Sequence, residues 1–185
     1  MIKYIFIFFF YFISFNISFA SVKENIIKKF SSINNITFKF EQNINDKKEK
    51  GECIIKYSKK IFCSYNSRFN KVLVSNGKSL VIKSDKNRQY YIYPLDRTPL
   101  NLILDKNFLI KKINFLKENI IDKNLINYTI VENDNEINVF FDIKTFNLVG
   151  WKTRDIYQNT NITYLSSIET NKEITKNLFK IPSQN

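Results

Sequence analysis

One stretch of strict alternation limits what this chain can fold into more than any other feature. From Gly51 to Tyr65 the sequence reads GECIIKYSKKIFCSY. In an extended chain Glu52, Ile54 and Lys56 point one way, and Cys53, Ile55 and Tyr57 the other. Past a turn near Ser58-Lys59, Ile61, Cys63 and Tyr65 alternate with Lys60, Phe62 and Ser64. The charges mark the solvent side, so both cysteines fall on the inner side with Ile55, Tyr57, Ile61 and Tyr65. A period of two with one apolar side predicts a half-buried hairpin, and hence an antiparallel sheet. Cys53 and Cys63 are equally spaced about Ser58, and a three-residue loop would set them directly opposite each other.

The same pattern recurs on both sides of this hairpin. Ile36 to Ile44 alternates, with a charged turn expected over Asp46 to Lys50. Lys71–Ser75 and Ser79–Lys83 flank Asn76-Gly77, a pair suited to a type I′ turn with two left-handed central residues. Gln89 to Tyr93 is an aromatic strand. Further strands are expected at Leu125–Val131, Ile137–Ile143, Leu148–Tyr157 and Asn161–Ile168. Between the two strand runs lie Thr98 to Leu104, where Thr98 can cap and Pro99 suits the first helical position. Leu100, Ile103 and Leu104 share one face of that helix. It can be a core helix plugging a sheet or a lid over an apolar cavity. Asp105 to Asn119 reads as either a short helix or a partly extended segment. At the start, Val22 to Ile33 has helical spacing, with a capping box from Ser21 to Glu24. A last helical turn is expected at Glu173–Leu178. The organisation is α+β: a long antiparallel sheet that must curl, with helices packed on one face.

Residues 1–20 carry one charge, Lys3, then an apolar run from Ile5 to Phe15 and small residues at Ser18 and Ala20. This reads as a signal peptide cut after Ala20, because the run is short for a span of about 20 apolar residues. Ser21 follows the cut, not cysteine, which argues against a lipid anchor. The remaining chain fits one domain, residues 21–185. An exported chain with two cysteines is expected to bond them; two free, buried thiols are the alternative. The net charge of +12 is spread as lysines in ones and twos without a basic block. Together with export, that argues against nucleic acid. There is no histidine, and the three glycines form no phosphate loop. The usual general base, the common metal ligand and the Ser-His-Asp triad are therefore missing, and no enzyme is expected.

A series of landmarks stands in order along the chain: Phe40-Glu41-Gln42, the Gly51 hairpin with Ile61 and Tyr65, and Val74-Ser75-Asn76-Gly77. Tyr93-Pro94-Leu95, Thr98-Pro99-Leu100 and Leu102–Leu104 follow. Trp151, Asp155, the Ile162–Ile168 strand, Asn171, Phe179 and Pro182 close the series. In this order and spacing the chain resembles the LolA family of periplasmic outer-membrane lipoprotein carriers, its alphaproteobacterial branch in particular. The resemblance implies an incomplete β-barrel, a strongly curved antiparallel sheet, whose open side is covered by helices over an apolar cavity. It implies a monomeric carrier, without cofactor, for acylated lipoproteins. The cargo would come from an inner-membrane ATP-driven (ABC) transporter and pass to an outer-membrane acceptor. It further implies that Ile55, Tyr57, Ile61, Tyr65, Val72, Val74, Leu80, Ile82, Tyr91 and Tyr93 form the cavity wall. Leu100, Ile103 and Leu104 would be the lid.

The sequence departs from the family at one point. The family's hairpin turn usually reads Arg-Pro, with the arginine bonded to the lid; Tyr57 and Ser58 stand there. Tyr57 could donate one hydrogen bond as a latch, and Arg97, just before Pro99 at the lid's start, is a possible substitute. Two other readings stay open. One is an exported module binding phospholipid or glycolipid. The other is an interaction domain whose helices are packed core.

Overall fold

The computed structural model describes residues 21–132, 135–154 and 159–184. The expected signal segment lies outside them, as do Asp155 and the end of the strand expected to reach Tyr157. Helix α1 (Val22–Ser31) opens the described chain. Its capping box is formed: Ser21 Oγ accepts from the Glu24 amide at 3.2 Å, and Glu24 accepts from the Ser21 amide at 2.8 Å. This satisfies two amides that the first helical turn leaves without partners.

Strands β1 (Asn35–Ile44), β2 (Lys47–Lys56) and β3 (Lys60–Tyr65) form a meander. The charged turn expected over Asp46–Lys50 is mostly strand. Asn45 and Asp46 alone make the turn, at φ 47° and 65°, which Asn and Asp tolerate better than other side chains. The start of β2 is instead solvated strand, with Lys50 paired to Glu41 at 2.7 Å across β1. Strands β4 (Val72–Asn76) and β5 (Ser79–Ser84) pair Ser75 with Leu80. The turn between them also differs from the expected type I′. Gly77 is left-handed at φ 99°, and Asn76 instead accepts from the Lys78 and Ser79 amides with its side-chain oxygen.

Strand β6 (Gln89–Pro94) leads through a 3-10 turn at Leu95–Arg97 to α2 (Leu100–Ile103) and then α3 (Lys106–Phe115). Thr98 has the extended backbone of a cap, but its hydroxyl turns back to donate to the Leu95 carbonyl at 2.8 Å. The ambiguous segment after Asp105 resolves as helix because Asp105 caps it, accepting from the Phe108 amide at 3.0 Å. Strands β7 (Asn119–Ile121), β8 (Leu125–Glu132), β9 (Asn135–Asp142), β10 (Leu148–Arg154) and β11 (Thr160–Thr170) follow. No helix forms at Glu173–Leu178; a hydrogen-bonded turn over residues 176–179 stands at its end, with the Leu178 amide donating to the Thr175 carbonyl at 3.4 Å.

All eleven strands join one sheet in the order β6-β5-β4-β3-β2-β1-β11-β10-β9-β8-β7. Edge strands β6 and β7 do not pair, so the barrel stays incomplete. Register shifts between Thr37 and Lys39 and between Leu148 and Gly150 bend the strands, as bulges do. The helices lie on the concave face. Beneath α1 and α3 that face is filled. Phe30 meets Tyr57 and Phe141 edge-on at 5.4 and 5.7 Å, and Ile26, Leu109, Ile113 and Tyr128 are fully buried around them.

Candidate functional site: an apolar cavity under the second helix

Toward β6 the concave face is not filled. A cavity of about 420 Å³ opens there, within the roughly 300–1,000 Å³ typical of small-ligand sites. Cross-strand rows build its floor. Phe38, Cys53, Cys63, Leu73, Ile82 and Tyr91 are successive partners across β1 to β6. Ile36, Ile55, Ile61, Ser75, Leu80 and Tyr93 form the neighbouring row. Phe40, Gly51 and Tyr65 start a third row. Gly51 is required there: a Cβ at this position would overlap the Ser64 carbonyl and lie 2.8 Å from the Phe40 ring. Without it, Phe40 packs edge-on to Tyr65 at 5.0 Å.

The expected wall residues separate by position. Ile61, Tyr65, Leu80, Ile82 and Tyr93 line the cavity, and Arg97, Pro99 and Leu100 border it from the lid side. Ile55, Ile103 and Leu104 are completely buried and belong to solid core beside it. Tyr91 stands on the same face as Ile82 at the open edge, 47% exposed. Val72 and Val74 are misplaced by the expectation. Leu73 pairs with Cys63 and Ile82, so Leu73 faces the cavity and the two valines face outward. The alternation misleads because the outer face is buried here as well, Val74 and Val81 being 2% and 0% exposed. The C-terminal segment lies across that face: Lys83 donates to the Ser183 carbonyl at 2.9 Å and Tyr90 to that of Pro182 at 3.2 Å.

Cys53 and Cys63 are bonded to each other, and the bridge itself forms part of the cavity lining. On the far side the lining turns polar, with Gln42, Thr153, Arg154, Asn161 and Thr163. Gln42 donates to Asn161 Oδ1 at 2.8 Å and to Thr163 Oγ1 at 3.4 Å. Trp151 stands between the polar and apolar parts and meets Phe38 edge-on at 6.1 Å. Leu73, Trp151 and the polar strip were not expected in the cavity lining, although Gln42 and Trp151 stand among the ordered landmarks. A depression of about 480 Å³ on the outer face is different in kind, since Lys50–Glu41 and Lys39–Glu52 ion pairs already occupy its walls. Among the described residues no cluster is placed to hold a metal ion, and no helix is long and apolar enough to cross a membrane.

The profile of the family described as outer membrane lipoprotein carrier protein LolA matches residues 31–182. The chain belongs to the LolA family. An uncharacterized conserved protein from Thermus thermophilus shares the fold at TM-score 0.51 and 7% identity, over 86% of this chain and 92% of that one. A LolA superfamily protein from Nitrosomonas europaea aligns at TM-score 0.45 and 8% identity, over 88% and 99% of the two chains. A domain named for outer membrane lipoprotein sorting, from Vibrio parahaemolyticus, gives 0.48 and 8% over 84% and 95%. No curated protein matches significantly by sequence.

This LolA-family chain holds its helices by other means than the expected latch. The Tyr57 hydroxyl is buried without a hydrogen-bond partner, and burial pushes its ionisation well above the ordinary tyrosine range. Arg97 makes no hydrogen bond or ion pair with a described residue. Two lysines tie the helices instead. Lys106, at the start of α3, donates to the Ser31 and Ile33 carbonyls at 3.0 and 2.8 Å, satisfying the end of α1. Lys59, in the β2–β3 turn, pairs with Asp105 at 3.4 Å, and its amide donates to the Leu104 carbonyl at 3.2 Å. The Lys106 ammonium also sits 5.9 Å from the Tyr57 ring centre, so a cation still lies beside this position.

Proposed function

We propose that this protein is an exported, periplasmic carrier that takes acyl chains into the cavity under α2, sheltering lipoproteins between the inner and outer membranes. Residues 21–185 would be the mature, single-domain carrier. The observation that carries the reading is the cavity itself. One side is apolar from Phe40 to Tyr93, Leu100 closes over it, and the chain around it is a LolA-family chain. Each methylene removed from water is worth about 0.8 kcal/mol, so sheltering one acyl chain offsets a penalty on the order of ten kcal/mol. Binding of this kind needs no catalytic group. The loading partner would be an inner-membrane ABC transporter and the acceptor a site at the outer membrane. The test is to isolate the mature protein from periplasm and identify its cargo by mass spectrometry. Acylated lipoproteins are expected. A cargo of phospholipid alone, or none, would reject the lipoprotein assignment.

The polar strip favours a second reading, a carrier of phospholipid or glycolipid. Gln42, Thr153, Asn161 and Thr163 share one space with the apolar floor and suit a phospholipid or glycolipid with a polar head.

A further inference from the structure

The chain has 25 lysines and only four arginines. Two of those four, Arg97 and Arg154, line the cavity, and no lysine, aspartate or glutamate does. Arg97 sits on the lid side, between β6 and α2; Arg154 ends β10 on the opposite wall. Both are exposed to solvent, and neither is engaged by an acidic group among the described residues. In a chain whose positive charge is mostly lysine, these two arginines bring a different chemistry to the cavity. Guanidinium presents a planar fork of donors that matches a phosphate or carboxylate, and it stays charged at any physiological pH. Beside Arg154 runs the strip of Thr153, Asn161, Thr163 and Gln42. An acyl chain has no use for such a strip. The apolar floor and the cationic, polar mouth belong to one continuous space.

From this arrangement we infer that the cavity also takes an acyl chain bearing an anionic head, with the chain on the Phe40–Ile82 floor and the head held at the mouth by Arg97 and Arg154. The inference rests on the proposal that the cavity takes acyl chains, and it adds a class of ligand beside the uncharged anchor of a lipoprotein. Phosphate and carboxylate heads share the required chemistry. A neutral glyceride would fill the floor and leave both guanidinium groups without a partner.

The test uses the mature full-length protein and displacement of a fluorescent acyl probe by four competitors: palmitoyl lysophosphatidate, palmitate, monopalmitoylglycerol and inorganic phosphate. The anionic lipids should bind about tenfold or more tightly than the neutral glyceride, the scale of one charge-assisted contact, and the advantage should shrink with added salt. Inorganic phosphate should not displace the probe, since it brings no chain. Whichever of lysophosphatidate and palmitate binds more tightly identifies the head as phosphate or carboxylate, and either order supports the inference. In the Arg97→Gln/Arg154→Gln double variant the anionic advantage should fall to about twofold or less, and Arg→Lys at both sites should restore part of it. Both side chains are exposed, so folding is checked simply by an unchanged unfolding midpoint. Equal binding of neutral and anionic lipids, or an advantage that survives in the double variant, overturns the inference and leaves the acyl-chain reading intact. Failure of every lipid to displace the probe overturns both.

Discussion

At the scale of single residues, buried hydroxyls and one glycine carry the sharpest consequences. Tyr57 and Tyr128 hide their hydroxyls without a hydrogen-bond partner, a desolvation cost of roughly 1–3 kcal/mol each. Tyr57→Phe should therefore raise stability by about 1 kcal/mol in urea unfolding; a loss would mean that the hydroxyl finds a partner in solution. Burial, with a smaller contribution from Glu118, pushes Tyr128 up to about 12. Burial pushes Tyr57 and Tyr65 up as well. A tyrosine raised above its unfolded value near 10 favours the neutral form in the folded state. Its contribution is thus complete below about pH 10 and is lost as pH rises toward the folded value. Stability should fall steeply between about pH 10 and pH 12, and Tyr128→Phe should flatten that fall. Gly51 is the other sensitive residue. Gly51→Ala forces its methyl group into the Ser64 carbonyl and the Phe40 ring, and should cost about 1–3 kcal/mol or more. An unchanged midpoint would show that β2 and β3 can part there freely.

Among the elements, the α1–α3 contact and the β2–β3 hairpin tie the helices beside the cavity to one another and to the sheet. Lys106 binds the end of α1 through two carbonyls. Lys106→Met keeps most of the stem and removes those bonds. It should lower stability by about 1–2 kcal/mol and speed release of bound acyl probe. Unchanged release kinetics would place the gating elsewhere, with Lys59–Asp105 the next candidate. The Cys53–Cys63 bridge closes a loop only 10 residues apart in sequence. Its reduction should therefore cost roughly 2–3 kcal/mol, measured as a shift in urea midpoint with and without reductant. Element existence was legible where one face was charged and the other apolar, as in β2, β3 and α1. It was not legible where both faces are buried. In β4, Val72, Leu73 and Val74 are all apolar, and only pairing with Cys63 fixes which one faces in. The turn Asn76-Gly77 announced a hairpin correctly, but its dihedrals depend on how the Asn76 side chain bonds.

For the whole molecule, the antiparallel sheet, the helices on one face and the family could be read from patterning and ordered landmarks. The cavity's outline could not, because hollow and filled parts of the same concave face use the same residue types. Ile55 in solid core and Ile61 in the cavity wall differ only in what lies above them. The polar strip was equally hidden: Gln42, Thr163 and Arg154 come from three strands that meet only through the β1–β11 and β10–β11 pairings. The strand order also carries a consequence for how this protein is made. Every neighbouring pair but one joins consecutive strands; the exception is β1 beside β11, where Ile36 faces Thr170. Ten strands can zip locally into two separate ribbons, but the seam between them needs the last strand of the chain. Closing that distance comes late and sets the pace. Until the carboxyl-terminal strand arrives, the apolar floor built by the first six strands lacks the wall that β10 and β11 supply, so a chain lacking β11 should expose that floor and aggregate.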